Sequence, residues 1–246
     1  LALSGDELAV IDAAKETCSK VVVLLNSGNA MGIAQIAEGG AHEVDGIAYI
    51  GCINDYQCTG IVNVLTGKVN STGALTDTYV VDNNSIPAVL NFGGDYYADA
   101  DIVAANAANG YDARYPKTDI SNISSASSFG GGDATYSAGQ YIVEAEGIYV
   151  GYKYFETRYF DSIMNPSSNA DSSKGATQSN TWSYDNEVIY PFGHTLSYLD
   201  YEQNVKSVTV DKTSEGNITA VVEVKNKSNQ DGKFLAQLYV QQPYTD

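Results

Sequence analysis

The chain has 246 residues, 43% of them hydrophobic, enough to bury a core in one large domain or one and a half ordinary ones. Its 13 Lys and Arg against 30 Asp and Glu give a net charge of −17, with no basic run, which argues against nucleic acid and anionic membrane surfaces. No apolar stretch reaches the roughly 18 residues of a membrane span, and three cysteines with two histidines argue against a disulfide scaffold and a zinc site.

The first half alternates in the α/β manner. Ser4-Gly-Asp-Glu7 fits a capping box, followed by Leu8, Ile11, Ala14 and Cys18 on one helical face. Val21–Leu25 is a continuous apolar run, expected to be a strand buried on both faces and ended by Asn26-Ser-Gly28. Ala30–Glu38 reads as a short helix, and Gly46–Gly51 as a second buried strand. Thr59–Thr66 reads as a helix stopped by Gly67, and Leu75–Val81 as extended chain. Strand–helix order of this kind predicts a mainly parallel sheet covered on both faces.

Residues 82–141 change character: Asn, Asp, Ser, Gly and Ala dominate, and Gly130-Gly-Gly132 forms a hinge-like cluster. A second polar insertion, 161–187, is Ser- and Asn-rich and contains the single tryptophan, Trp182. From about Val205 the pattern switches to period two. Ile218, Ala220, Val222 and Val224 share one face, and Phe234, Ala236, Leu238 and Val240 share another. About three strands fit before Asp246, against the roughly seven of an immunoglobulin-like sandwich, so further strands are expected from other sequence or a second chain.

Two segments carry a resemblance: Glu146-Gly-Ile-Tyr-Val-Gly-Tyr-Lys-Tyr-Phe-Glu-Thr-Arg-Tyr159 and Pro191-Phe-Gly-His-Thr-Leu-Ser-Tyr198. In order with Leu1–Ile11, Lys20–Gly28, Val64–Asn70 and Leu235–Val240, they resemble glycoside hydrolase family 3, which includes the β-glucosidases. The resemblance implies an (α/β)6 sandwich domain over 1–203, with insertions near 94–141 and 161–187. Over 204–246 it implies the start of a fibronectin type III-like sandwich. The chain thus looks like a middle piece of a retaining exo-acting β-glycosidase. The expected activity is that of a β-glucosidase releasing terminal β-linked glucose. A β-xylosidase or other exo-glycosidase on the same scaffold, or a non-catalytic carbohydrate-binding module, is the alternative.

In retaining hydrolysis one carboxylate attacks the anomeric carbon and a second protonates the leaving oxygen, roughly 5–5.5 Å away. The resemblance implies that the nucleophilic Asp belongs to a separate (β/α)8 barrel. The acid/base Glu would lie just before Leu1, so no catalytic residue is expected here and the chain alone is expected to be inactive. The implied partners are a β-glucoside or oligosaccharide, the barrel, and the remaining fibronectin-like strands from the same parent or another chain. A homo-oligomer is compatible with this reading. No cofactor is implied, and an extracellular or cell-surface setting, in a bacterium, is favoured over a cytoplasmic one.

The sequence departs from the family pattern at two turns. Cys52-Ile-Asn-Asp-Tyr-Gln-Cys58 replaces a Gly- and Pro-rich loop, and Val69-Asn-Ser-Thr-Gly-Ala-Leu-Thr76 lacks the family's prolines and Arg.

Each candidate residue has a bland reading beside the functional one. Asp55 and Tyr56 follow a sheet strand at its carboxyl end, where α/β folds place ligand sites, and are the substrate-binding candidates together with Trp182. The preferred reading of Asp55 and Tyr56 is nevertheless a solvated loop, and that of Trp182 a residue tucked into the domain. Glu146, Tyr149, Tyr152, Tyr154 and Arg158 suggest a sugar-stacking cluster. The preferred reading is an irregular strand whose aromatics pack at a domain junction, with Arg158 paired to a buried carboxylate. His194 is read as structural within the Pro191-Phe-Gly193 turn. Cys52 and Cys58 are close enough in sequence to close a short loop, although ordinary buried or loop thiols are the preferred reading.

Overall fold

The computed structural model describes residues 2–87, 92–93, 141–142, 147–164, 181–212 and 216–240. The 94–141 insertion up to residue 140, with its Gly130–Gly132 cluster, Glu146 and residues 165–180 lie outside the described residues. The chain forms two compact units, one from Leu1–Gly51 and Asp77–Phe192, the other from Cys52–Thr76 and Gly193–Asp246.

The first unit opens with α1 (Gly5–Thr17). Its capping box forms as the spacing predicts. The Glu7 N–H donates to Ser4 Oγ at 3.3 Å, and the Ser4 N–H donates to Glu7 Oε2 at 2.7 Å. That backbone bond from Ser4, and then the Ser4 hydroxyl, hold the Glu7 carboxyl below the usual glutamate range. Ile11 is buried and Leu8 and Ala14 are half-buried, whereas Cys18 is exposed beyond the helix end.

Strands β1 (Val22–Leu25) and β2 (Gly46–Tyr49) pair in parallel, Val22 opposite Gly46 and Leu25 opposite Tyr49. Asp45 ties the start of the pair. It accepts from the Val21 N–H at 2.8 Å and from Lys20 Nζ at 2.6 Å, while its own N–H donates to the Val21 carbonyl at 3.0 Å. The two-face burial expected of these strands is not found. In β1 only Leu25 is buried, Val22 and Leu24 are exposed, and β2 is half-buried at best. The described pairing is two-stranded, so Val22 and Leu24 have no second layer over them among the described residues.

The connection between these strands is also not the helix expected over Ala30–Glu38 but a series of turns. Gly32, Gly39 and Gly40 punctuate the segment, and so few residues between them do not repay helix nucleation. The Ile33 carbonyl accepts from both the Ile36 and Ala37 N–H groups at 3.0 Å. This single turn places Ile33, Ile36 and Ala37 in the core.

The rest of the first unit is built around a second core. Strand β3 (Tyr79–Val80) pairs antiparallel with β6 (Val188–Tyr190). Strand β4 (Phe92–Gly93) pairs antiparallel with β5 (Tyr141–Ile142). The segment expected as an irregular strand is instead helix α3 (Tyr152–Met164), entered from Gly151 at φ 65°. Its i, i+3, i+4 spacing puts Phe155 against Val80, Trp182 and Val188, with Tyr154 at the margin. A short helix, α4 (Tyr184–Glu187), is capped by Ser183 and leads straight into β6. Within the stretch 161–187 the first residues finish α3 and the last carry Trp182 and the buried Glu187.

The second unit contains α2 (Cys58–Leu65), which ends where Gly67 takes φ 71°. The N–H groups of Lys68 and Val69 both return to the Asn63 carbonyl, at 2.9 and 3.1 Å. The following turn is clipped to the Gly193–Tyr198 segment. Leu75 N–H donates to the His194 carbonyl and Gly193 N–H to the Leu75 carbonyl, both at 2.8 Å. The side chain of Asn70 adds bonds to Ser197 Oγ and the Tyr198 N–H.

Strands β7 (Tyr201–Val210) and β8 (Ile218–Asn226) form an antiparallel ribbon. Val205 lies opposite Val222, and Val208 opposite Ala220. With strict alternation, Val205 and Val208 would point to opposite faces. The register shift between Val205 and Ser207 restores the phase, so Val205, Val208 and Val210 share a face with Ile218, Ala220 and Val222. The other face carries the ion pairs Lys206–Glu223 at 2.8 Å and Lys227–Glu202 at 2.9 Å. Residues 231–240 do not form the third strand their alternation predicts; side chains tie them instead, the Tyr201 hydroxyl donating to the Lys233 carbonyl at 3.2 Å and Gln237 Nε2 to the Gly193 carbonyl at 3.3 Å.

Candidate functional site

Asp55 and Tyr56 sit on a turn built by Asn54. The Asn54 Oδ1 accepts from the N–H groups of Tyr56 and Gln57 at 3.1 and 3.3 Å, and the Gln57 side chain accepts from the Asn54 N–H at 2.9 Å. These local bonds give the backbone an alternative to helix until Cys58, where α2 begins. They leave Tyr56 93% exposed, with Asp55 exposed beside it. A flat aromatic face packs on the C–H face of a pyranose, and an adjacent carboxylate accepts from its hydroxyls.

Trp182 belongs to the other unit and has a different environment. It is buried within the Val80–Phe155–Val188 core. The Arg158 guanidinium carbon lies 4.3 Å from its ring centroid, and Arg158 Nη1 donates to Tyr154 Oη at 2.7 Å. Asp55 and Tyr56 are thus brought together on one turn of the second unit, and Trp182 is packed in the core of the first.

The aromatics around α3 pack on one another, with Tyr149 and Tyr159 left exposed. Tyr152 stacks on Phe192 at 4.1 Å, and Tyr159 lies 4.9 Å from Tyr184. The Tyr184 hydroxyl donates to Glu156 Oε1 at 2.6 Å. Burial, and after it the hydrogen bond to Glu156, push the Tyr184 phenol far above its ordinary range. Burial beside Tyr49 and Asp77 pushes Tyr79 up to about 12. These tyrosines stay protonated and serve as donors and packing surfaces. The His194 backbone carbonyl accepts from the Leu75 N–H in the turn.

One contact escaped the sequence reading. His42 Nδ1 lies 2.8 Å from Asp12 Oδ1, tying the turn after Gly40 to α1. The two residues are thirty positions apart, and no motif links them. Among the described residues no group of three or more His, Cys, Asp or Glu side chains could hold a metal ion. No described helix is long and apolar enough to cross a membrane.

The family profile described as "Glycosyl hydrolase family 3 C-terminal domain" matches residues 1–152. The chain belongs to this family. Among curated relatives, the β-glucosidase of Ruminococcus albus is 25% identical over 241 residues, covering 98% of this chain and 17% of the relative. The thermostable β-glucosidase B of Acetivibrio thermocellus is 26% identical over 98% of this chain and 22% of its own length. An exo-α-(1→6)-L-arabinopyranosidase of Bifidobacterium longum is 22% identical, again over 98% of this chain and 22% of the relative.

Solved structures agree in fold. A β-glucosidase from Paenibacillus barengoltzii superposes with a TM-score of 0.58 at 18% identity, over 93% of this chain and 17% of that one. β-Glucosidase 3B of Thermotoga neapolitana gives 0.54 at 21% identity, over 94% and 23%. The described helices and small sheets are compatible with an α/β domain of this family, and the chain spans about a fifth of the length of the glycosidases it matches.

Proposed function

We propose that this family 3 C-terminal domain is the companion part of a retaining, exo-acting β-glucosidase that releases terminal β-linked glucose. It borders the active site without supplying the nucleophile or the acid/base. The observation that carries this reading is the match to β-glucosidases over 98% of this chain but only 17% and 22% of those enzymes. A (β/α)8 barrel in the same parent or in a second chain supplies the nucleophilic Asp, and a Glu shortly before Leu1 supplies the acid.

In this reading residues 1–203 form the (α/β)6 sandwich domain and 204–246 begin a fibronectin type III-like sandwich. The parallel β1–β2 pair supports the first part. The one-sided apolar face of the β7–β8 ribbon supports the second, because Val205 and Val208 are 61% and 57% exposed. Asp55 and Tyr56 are the proposed substrate contacts, on the evidence of their exposure and chemistry. For Trp182 the proposed role is indirect: its burial beneath Arg158 fits the support of a sugar-facing surface better than a stacking platform.

A second reading, another exo-glycosidase on the same scaffold, is favoured by one observation, the similarity to the arabinopyranosidase. Sequencing the parent polypeptide and assaying it on aryl β-glucoside, β-xyloside and α-L-arabinopyranoside separates the two. Glucoside hydrolysis with a barrel Asp and a Glu just before Leu1 is the expected result. Loss of both carboxylates from the parent would mean a binding module instead.

A further inference from the structure

Residues 231–240 touch the Gly193–Tyr201 segment at two crossings, and the Gln237 side chain fastens one of them. Gln237 Nε2 donates to the Gly193 carbonyl at 3.3 Å, and Gln237 Oε1 accepts from the Tyr239 hydroxyl, so both ends of the amide are used. We propose that Gln237 is a positioning residue: by holding the Gly193 turn it holds the base of α2, and with it the loop that presents Asp55 and Tyr56. This role rests on the loop's proposed part in substrate binding and adds to it what sets the loop's posture.

The seat for this strap is built into the sequence. A Cβ at Gly232 would collide with the Leu199 side chain and the Tyr201 hydroxyl, and a Cβ at Gly193 would collide with the Gln237 amide, so each crossing is made at a glycine. Gly193 also takes φ 79°, a left-handed backbone that favours glycine. Between the crossings the Tyr201 hydroxyl donates to the Lys233 carbonyl at 3.2 Å, and the Phe234 ring lies 5.2 Å from the Tyr201 ring. Leu199, against Gly232, is buried.

The fastening continues by hydrogen bonds within the same unit. With its carbonyl taken by Gln237, Gly193 donates its N–H to the Leu75 carbonyl, and the Leu75 N–H donates to the His194 carbonyl, both at 2.8 Å. Asn70 Nδ2 donates to Ser197 Oγ at 2.6 Å, and Asn70 Oδ1 accepts from the Tyr198 N–H at 3.1 Å. The Lys68 and Val69 N–H groups then close the end of α2 on the Asn63 carbonyl. At the start of that eight-residue helix the Gln57 N–H and Cys58 Sγ both return to the Asn54 carbonyl, at 3.0 and 3.7 Å, and Asn54 sets the turn of Asp55 and Tyr56. Helix α2 has no buried residue, so these bonds, rather than core packing, fix where it lies.

The test has two arms. In the full 246-residue chain, hydrogen exchange is compared between the unsubstituted protein, Gln237→Ala, and Gly232→Ala, which lifts the strap without altering Gln237. Exchange at the Gly193, Leu75, Tyr56 and Gln57 N–H groups should quicken at least about threefold in both variants, while the β7–β8 ribbon around Val208 and Ala220 keeps its protection. In the parent enzyme, Gln237→Ala should raise KM for an aryl β-glucoside about threefold to tenfold, the range of one modest hydrogen bond. It should change kcat by less than about twofold, because a misplaced contact loop weakens substrate and transition state alike. In a Tyr56→Ala background the further rise in KM should fall below about 1.5-fold. Unchanged exchange at Tyr56 and Gln57, or an unchanged KM in a parent whose own Tyr56→Ala raises KM, would overturn the assignment. A parent whose KM ignores Tyr56→Ala would overturn the proposed contact role of the loop instead, and the exchange arm then decides by itself whether Gln237 holds it.

Discussion

Arg158 lies over the indole of Trp182, its guanidinium carbon 4.3 Å from the ring centroid, and donates to Tyr154 one turn earlier on the same helix. The planar cation covers the outer side of a residue whose inner side packs on Val80 and Val188. Trp182→Ala should therefore cost about 3–5 kcal/mol of stability. Arg158→Lys, which keeps the charge but loses the stacked plane, should cost about 1 kcal/mol. Urea unfolding of the full chain measures both. A Trp182 variant of unchanged stability but weakened sugar binding would assign the residue to the ligand instead.

Thr78 places a buried hydroxyl that has no hydrogen-bond partner among the described residues. Thr78→Val is nearly isosteric and removes that unmet polar group. It should raise stability by about 1 kcal/mol in the same unfolding measurement.

Alkaline pH should loosen the first unit. Tyr79 titrates near 12 in the folded chain because burial disfavours its phenolate, against 10.0 for an unhindered tyrosine. A raised folded value means that the contribution is fully present below pH 10 and is lost as the pH rises towards 12. Phenolate absorbance followed beside far-ultraviolet circular dichroism checks this. Ionisation of all tyrosines near pH 10 with the fold intact would contradict it.

How much of this was legible in the sequence depended on how local the cause was. The capping box at Ser4 and Glu7 and the stop at Gly67 are set by a few neighbouring residues, and both form as their spacing predicts. Helix α3 was missed because its Tyr- and Phe-rich run has the composition of a strand. The decisive signal was spacing, with Tyr154 and Arg158 one turn apart on the helix. Burial of Val22 and Leu24 was overestimated because an apolar run tells what a strand can bury, not what covers it. Asp55 and Tyr56 were placed on an exposed turn by the loop chemistry of Asn54, whereas the His42–Asp12 contact depends on a long-range approach that no local pattern encodes.

The β7–β8 ribbon gives a prediction that separates the isolated chain from its parent. Val208 is 57% exposed, so Val208→Thr should change the stability of the 246-residue chain by less than about 0.5 kcal/mol. In a parent that supplies the facing sheet, the same substitution buries a hydroxyl and should cost about 1–3 kcal/mol. Equal effects in the two contexts would remove the case for a covering sheet.

The proposed role of this domain is to take part in glycoside hydrolysis without carrying the catalytic carboxylates. The most direct measurement is the rate of aryl β-glucoside hydrolysis by the purified 246-residue chain, set beside that of the parent polypeptide with its barrel. No turnover above buffer is expected for the chain, and robust glucose release is expected from the parent. Turnover by the chain alone at the level of an intact enzyme would contradict it.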